Sequence, residues 1–189
     1  MKASARNHFQ RDLRARVRGE VFFDDVTRGL YATDASIYQI KPVAVVVPRD
    51  EADVGAAVAT AAQYQLPILA RGAGTSLNGQ AVSRGVVLDF TKYMNKIIEL
   101  NPEQRWVRVQ PGLVLDELND ALAGQGLLFA PDPATGDRAT IGGMIGNNSS
   151  GTRSLVYGIT RDHVLETRVL LPEGRILECK PLTPEQNHR

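Results

Sequence analysis

The first half of the chain alternates short apolar runs with one longer amphipathic stretch. Residues 43–47 form an almost continuous β-branched run between two prolines, which is typical of a strand buried on both faces. Asp50 is placed to cap a helix that continues to about Gln65, with apolar residues at helical spacing. Residues 66–70 and 86–89 predict two further strands. A strand, a helix and a strand in this order predict parallel pairing with a right-handed crossover.

The second half of the chain has a different pattern. Residues 97–100 and 105–109 predict two antiparallel strands joined by a turn, and residues 115–123 predict an amphipathic helix. Residues 163–171 and 175–178 predict a hairpin around a Pro-Glu-Gly turn. The fold class expected from both halves is α+β, with a small parallel βαβ lobe followed by a mainly antiparallel sheet lobe with helices.

The N-terminal residues are rich in arginine, which raises the alternative of a transit peptide. However, Phe9, Leu13 and Val17 recur every four residues, and Asp12 interrupts the basic run. This spacing favours a short amphipathic helix docked on the domain. Residues 19–34 show no clear period and are expected to be mostly loop and turn.

These patterns divide the chain into four parts. We expect an N-terminal helix at residues 1–20, a first lobe at 21–100, a second lobe at 101–180 and a tail at 181–189.

Composition narrows the classes of function. The chain has 22 Lys and Arg against 21 Asp and Glu, so its net charge of +1 provides no broad field for nucleic acid. Its one cysteine, Cys179, cannot form an internal disulfide and suits a reducing, cytoplasmic setting. The three histidines are far apart and show no metal-ligand spacing, so no metal site is expected. No apolar run is long enough to predict a transmembrane segment.

Residues 71–79 are the first of two glycine-rich stretches. Gly72 and Gly74 permit sharp backbone bends that expose N–H groups. Thr75 and Ser76 add hydroxyl donors, and Arg71 adds a fixed positive charge. Amides, hydroxyls and a guanidinium together favour an anion such as a phosphate. The alternative is a plain turn between two strands.

Two known phosphate-binding motifs do not match this stretch. From Gly74 the glycine spacing is that of a P-loop, but Gln80 and Ala81 stand where lysine and a hydroxyl residue are required. Four residues separate Gly74 from Gly79, whereas the dinucleotide-binding fingerprint needs two. Nucleotide hydrolysis and a Rossmann site are therefore not expected.

The second glycine-rich stretch covers residues 139–151 and follows Pro131-Asp132-Pro133. Thr140 can cap a short helix that starts at Ile141 and directs free amides at an anion. The alternative is a long flexible loop, but apolar residues in the stretch indicate that it packs. Two such stretches far apart in sequence suggest two walls of one site for a large phosphorylated ligand.

Several motifs occur together and in a fixed order along the chain. They are residues 31–36 (Tyr-Ala-Thr-Asp-Ala-Ser), 42–48, 71–77, 109–112 (Val-Gln-Pro-Gly), 131–133, 140–143 and 157–158. This combination resembles the FAD-binding domain of FAD-linked oxidases and dehydrogenases, the fold shared by vanillyl-alcohol oxidase and p-cresol methylhydroxylase. The branch that it resembles is that of D-lactate dehydrogenase, D-2-hydroxyglutarate dehydrogenase and the glycolate oxidase D subunit.

The resemblance implies that FAD lies between the two lobes. Some relatives attach the flavin to a histidine, but Thr75 occupies that position, so non-covalent binding is expected. The 31–36 motif either approaches the substrate or is only a structural loop. The candidate cofactor-binding residues are Arg71, Gly72, Ala73, Gly74, Thr75, Ser76, Leu77, Pro131, Asp132, Thr140, Gly142, Gly143, Gly146, Asn147, Ser150, Gly151 and Tyr157.

The resemblance further implies oxidation of a small 2-hydroxy acid to a 2-oxo acid, with electrons passed through FAD to an acceptor that could bring the protein to a membrane. No substrate domain follows residue 180, so we expect an incomplete, catalytically inactive fragment, and no catalytic residue is identified. An iron–sulfur cluster would belong only to a further C-terminal region. The alternatives are a reductase of the UDP-N-acetylenolpyruvoylglucosamine type and a non-enzymatic nucleotide-binding module.

Overall fold

The computed structural model describes residues 3–181, with six α-helices, eight strands and one 3-10 helix. The first half contains α1 (Ala3–Arg16), β1 (Glu20–Phe22), α2 (Asp25–Leu30), β2 (Ala44–Val47), α3 (Glu51–Gln63), β3 (Ile68–Arg71) and β4 (Val86–Asp89). The second half contains β5 (Ile97–Asn101), β6 (Trp106–Val109), α4 (Leu115–Ala123), α5 (Ile141–Asn147), α6 (Ser154–Tyr157), the 3-10 helix (Thr160–His163), β7 (Thr167–Leu170) and β8 (Ile176–Cys179).

A four-stranded sheet in the order β1-β2-β4-β3 organises the first half. Strands β2, β4 and β3 are parallel, as predicted, although β4 lies between the two strands that α3 connects. Every residue of β2 and β4 is buried, which confirms what their apolar runs indicate. Strand β3 is only partly buried because it lies at the edge of the sheet.

Helix α3 begins and ends close to the predicted residues. The Asp50 side chain accepts a hydrogen bond from the Asp53 backbone N–H at 3.1 Å, which confirms the predicted N-cap. The helix ends at Gln63, and Gln65 has a left-handed backbone with φ of 53°, which cannot continue a right-handed helix.

Helix α1 packs against α3 and the sheet. Phe9 and Leu13 are completely buried and Val17 is nearly so, which confirms the predicted docked amphipathic helix. The carboxylate of Asp53, 1% exposed, accepts backbone hydrogen bonds from Arg18 and Arg49 at 2.8 and 2.9 Å. The hydrogen bond from Arg18 thus links the segment that follows α1 to the first turn of α3.

The prediction that residues 19–34 are mostly loop is wrong. Strand β1 forms there because its three residues pair antiparallel with β2, from Glu20 opposite Val47 onward. Helix α2 follows, capped by the Asp24 side chain, which accepts from the Thr27 N–H at 2.8 Å. The parallel sheet therefore has an antiparallel edge strand.

The second half has the predicted mixture of helices and antiparallel strands, but its strands do not form the single sheet that was predicted. Helix α4 has the predicted bounds, and the two antiparallel strand pairs form, but as separate two-stranded sheets rather than one. His163, predicted at the start of a strand, ends the 3-10 helix instead. A second apolar core joins α4, α5 and the inner face of the β5–β6 pair. Residues 182–189 of the predicted tail lie outside the described residues, and the division into two lobes stays a prediction.

Candidate functional site

The two glycine-rich stretches line one cavity of about 1550 Å³. The first stretch leaves the carboxyl end of the edge strand β3, and the second contains α5. The wall also includes residues of α3 and of the β7–β8 hairpin. A ligand at the carboxyl ends of parallel strands occupies the usual position in open α/β sheets.

Most of the candidate cofactor-binding residues reach this cavity. Pro131 and Tyr157 line neither this cavity nor the smaller one of about 600 Å³ beside it, which includes Asp132 and Gly151. Tyr157 ends α6 with its side chain 58% exposed, and Pro131 is buried. The structure therefore gives no support to these two as contacts. The candidates that do line the large cavity are Arg71, Gly72, Ala73, Gly74, Thr75, Ser76, Leu77, Thr140, Gly142, Gly143, Gly146, Asn147 and Ser150.

The two stretches meet at Gly72 and Thr140. A β-carbon on Gly72 would overlap Thr140 Oγ1, so only glycine permits this approach. Thr140 is 1% exposed, and its Oγ1 accepts from the Gly143 N–H at 3.3 Å, which confirms the predicted cap of α5. The two walls of the cavity are therefore in direct contact at this point.

Gly74 has a left-handed backbone, with φ of 73°. A β-carbon there would lie 2.8 Å from Arg71 Cζ, so a side chain would collide with the guanidinium as well as strain the backbone. The first stretch therefore folds tightly over Arg71.

The Arg71 side chain turns into the loop. Its Nη1 donates to the Ala81 carbonyl at 2.6 Å, and its Cζ lies 5.3 Å from the centre of the Tyr31 ring. Burial lowers the pKa of Arg71, while the nearby Tyr31, Asp89 and Asp34 raise it. Arginine remains charged at neutral pH in any case. Its guanidinium is thus held against the loop, between Tyr31 and Ala81.

Two carboxylates complete this region. Asp89, which is 8% exposed, accepts from the Tyr31 hydroxyl and from the Thr91 N–H and hydroxyl at 2.8 and 2.7 Å. Asp34 accepts from the N–H groups of Ser36 and Ala81 at 2.9 and 3.1 Å. Burial raises the pKa of Asp34, but these donors and Arg71 outweigh burial and leave the pKa below its ordinary value.

Tyr31 is ionised with more difficulty than an ordinary tyrosine. Burial raises its pKa, and the hydrogen bond to Asp89 raises the pKa further. The motif containing Tyr31 and Asp34 is visible in the sequence, as either a substrate-facing segment or a structural loop, whereas Asp89 was predicted only as the end of a strand. The position of Asp89 at the carboxyl end of a buried strand could have marked it as a residue near the site, because ligands bind at such strand ends in open α/β sheets.

The second stretch presents a more open surface. Apart from its chain neighbours and the backbone of its own helix, nothing lies within 4 Å of an ideal β-carbon built on Gly146, so its missing side chain leaves room in the cavity. Across the cavity mouth, Gln80 Nε2 donates to Asn147 Oδ1 at 2.8 Å. This hydrogen bond is the second link between the two walls.

The remaining charges on the wall are paired. Arg168 lies 2.8 Å from Glu51, and Arg138 lies 3.3 Å from Asp137. The rest of the wall contains apolar residues that suit flat aromatic rings, among them Val54, Val58, Ile68, Leu170 and Ile176.

An extended ligand with a diphosphate and ring systems therefore fits the cavity, and these features match FAD. Among residues 3–181, no three His, Cys, Asp or Glu side chains come together as a metal site. Nor does any helix in that range combine the length and apolar character needed to cross a bilayer.

Comparison with known proteins agrees with this geometry. The "FAD binding domain" family matches residues 42–180. The D-2-hydroxyglutarate dehydrogenase of Escherichia coli strain K12 is 50% identical over 157 residues, which cover 82% of this chain and 15% of that protein. The glycolate oxidase subunit GlcD of Bacillus subtilis strain 168 is 39% identical over 85% of this chain and 35% of its own length. The chain therefore spans only a small part of these relatives.

A solved structure shows the same fold at lower identity. The structure of p-cresol methylhydroxylase with substrate bound superimposes with a TM-score of 0.83 and 21% identity, covering 94% of this chain and 36% of that one. The fold class and the cofactor expected from the sequence, FAD, are confirmed by these comparisons. The chain belongs to the FAD-binding-domain family of the FAD-linked oxidases.

Proposed function

We propose that this chain is the FAD-binding part of a dehydrogenase that oxidises a small D-2-hydroxy acid, foremost D-2-hydroxyglutarate, to the 2-oxo acid. The observation that carries the proposal is the 50% identity to a D-2-hydroxyglutarate dehydrogenase over 82% of the chain. The similarity to a glycolate oxidase subunit favours glycolate as the second candidate substrate.

Bound FAD supplies the hydride acceptor for this oxidation, because no protein side chain can take up a hydride. The substrate carbon loses a hydride, and its hydroxyl oxygen loses a proton to a base. The residues of this chain hold and orient the cofactor. The amides and hydroxyls of residues 72–76, which line the cavity, would hold the diphosphate, and the apolar wall would exclude water from the rings.

The groups that would act on the substrate belong, in this proposal, to the rest of a longer protein. Among the described residues on the cavity wall, the carboxylates Glu51 and Asp137 are both paired with arginines, so neither is a free base. We therefore infer that the isolated chain binds FAD without turning over a hydroxy acid. The electrons would leave to a separate acceptor, in the cytoplasm or at a membrane-associated partner.

Titration of FAD into the purified chain, followed by flavin fluorescence, tests the proposal. FAD should bind at least tenfold more tightly than FMN, because FMN lacks the AMP half of the diphosphate-linked ligand. Equal affinity for both flavins would contradict the assignment of the cavity to FAD.

Two further measurements separate the alternatives. Acid precipitation should release all the flavin, as non-covalent binding requires, and flavin retained by the protein would indicate a covalent bond. Reduction of the bound flavin by NADPH would instead favour the UDP-N-acetylenolpyruvoylglucosamine reductase type. In the full-length protein, D-2-hydroxyglutarate should bleach the flavin faster than D-lactate or glycolate does.

A further inference from the structure

A segment that is distant from the glycine-rich stretches in sequence packs against the first of them. We call residues 31–38 the backing segment. Its Ala35 N–H donates to the Gly74 carbonyl at 3.1 Å, and its Asp34 accepts from the Ala81 N–H at 3.1 Å. A β-carbon on Gly79 would lie 2.6 Å from the Tyr38 ring, so this ring packs against the loop. The loop is thus held at several points along its length.

Arg71 connects the backing segment to both ends of the loop. Its guanidinium lies over the face of Tyr31, donates to the carbonyl of Ala81 and fills the space beside Gly74. A guanidinium is attracted to the electron-rich face of an aromatic ring, and the attraction strengthens where water is excluded. The position of Arg71 therefore depends on the Tyr31 ring.

Tyr31 is itself held in place by a hydrogen bond to the sheet. Its hydroxyl donates to Asp89, the last residue of the buried strand β4, and Asp89 is also fixed by two hydrogen bonds from Thr91. A continuous set of contacts therefore runs from the sheet through Asp89, Tyr31 and Arg71 to the loop.

We infer that Tyr31 is a positioning residue for the FAD site, acting through Arg71. The inference rests on the proposed function. Three of residues 72–80 are glycines, and the glycines in particular lose much conformational freedom when the loop becomes ordered. Their amides can converge on a diphosphate only if the loop is already held in shape, and such preorganisation raises affinity without adding a contact. Tyr31 lies outside the set of residues that line the cavity.

The first test needs no ligand. Backbone hydrogen exchange of the 189-residue chain is compared for the wild type, Tyr31→Phe, Tyr31→Leu and the control Tyr64→Phe. Tyr64 also donates its hydroxyl to an aspartate, Asp12, at 2.6 Å, but between α3 and α1 and off the cavity wall. Tyr31→Leu should speed exchange across residues 72–81 at least tenfold, and Tyr31→Phe, which keeps the ring, should speed it less. Tyr64→Phe should leave this segment unchanged, and unchanged exchange in Tyr31→Leu would overturn the inference.

The second test measures coupling to Arg71 through the dissociation constant of FAD. Tyr31→Leu and Arg71→Gln should each raise the dissociation constant of FAD about tenfold. The double variant should have a dissociation constant no higher than that of the weaker-binding single variant. Effects that multiply to about a hundredfold would show that Tyr31 does not act through Arg71. If Tyr31→Leu fails to fold, the same cycle with Tyr31→Phe carries the test, with an expected single effect of about threefold. A wild-type chain that binds no FAD would refute the proposed function, and the exchange experiment alone would then decide the positioning role.

Discussion

The two glycine-rich stretches reach the same cavity but are supported in different ways. The second stretch carries its own regular structure, the helix α5, capped at one end by Thr140 and closed at the other by Asn148 with φ of 49°. The first stretch contains no helix or strand beyond Arg71. Apart from local hydrogen bonds to Ser76 Oγ, it is held by residues 31–38, whose Ala35 N–H donates to the Gly74 carbonyl and whose Tyr38 ring packs beside Gly79. Its geometry therefore depends on tertiary contacts, whereas much of the second stretch is locally encoded.

Their glycines also serve different purposes. Gly72 and Gly151 are required by the protein itself, because a β-carbon would overlap Thr140 Oγ1 at one and the Asp132 carbonyl at the other. Gly146 meets nothing of the protein. A glycine in a binding motif can thus be required by the fold or by the ligand, and substitution distinguishes the two.

The largest effect is expected for Gly151→Ala. The new methyl group would overlap backbone atoms of Asp132, which cannot rotate away, so the free energy of unfolding should fall by about 2–3 kcal/mol. Urea unfolding followed by circular dichroism measures it.

Gly146→Ala is the matched control. It lies within α5 and faces open space, so the free energy of unfolding should stay equal or rise by about 0.5–1 kcal/mol. FAD affinity should nevertheless fall, because the methyl group enters the cavity. A stability loss equal to that of Gly151→Ala would show that the distinction between the two kinds of glycine is wrong.

Removal of the α5 cap is expected to have the next largest effect. Thr140→Ala loses the hydroxyl that accepts from the Gly143 N–H, and loss of such a cap costs about 1 kcal/mol. Thr140→Ser keeps the hydroxyl and should lose less than half as much in the same unfolding experiment. Since Thr140 touches Gly72, exchange of the Gly72 amide would show whether the change also reaches the first stretch.

Acid should weaken the first stretch through Asp34. Its folded-state pKa lies below the unfolded value of about 3.9, so the carboxylate stabilises the folded protein above that pH and loses this contribution as the pH falls through the folded pKa. The stability difference between the wild type and Asp34→Asn should therefore be full at pH 7 and shrink below about pH 4. A difference that stays constant from pH 7 to pH 3 would contradict the role of the charge.

The smallest effect is expected at the cavity mouth. Gln80 and Asn147 are exposed, so Gln80→Ala should change the free energy of unfolding by less than about 0.5 kcal/mol. The dissociation rate of FAD, measured by stopped-flow displacement, should rise about two- to fivefold, because the link across the mouth is lost. Asn147→Ala should give the same rate, and an effect of only one of the two would contradict the link.

Much of the fold could be predicted from local patterns. Strands β2 and β4 are continuous apolar runs, and α3 and α4 combine helical spacing with recognisable ends, so each is specified by its own residues. Strand β1 could not be found in this way, because three residues with partial burial become a strand only by pairing with β2. The separate antiparallel pairs likewise depend on how the elements pack.

The residues that line the site could be predicted from the sequence, but the contacts that hold the first glycine-rich stretch in place could not. Glycines, hydroxyls and the Thr140 cap are visible in sequence, and the structure brings most of them to one cavity. The contact between Tyr31 and Asp89 joins residues 58 positions apart, and no local pattern specifies it. Tyr157 was singled out by its motif, but it lies at the exposed end of a short helix and off the cavity wall, so its role as a contact stays a prediction.

The burial of α1 has a consequence for where this protein can be divided. The family match covers residues 42–180, yet Phe9 and Leu13, more than 25 positions before that span, are completely buried beside α3. A chain shortened to the family-matched span would expose the face of α3 that these rings and methyl groups cover. The unit that folds is therefore longer than the span matched by the family, and the residues before that span cover one face of the helix and sheet that carry the cofactor site.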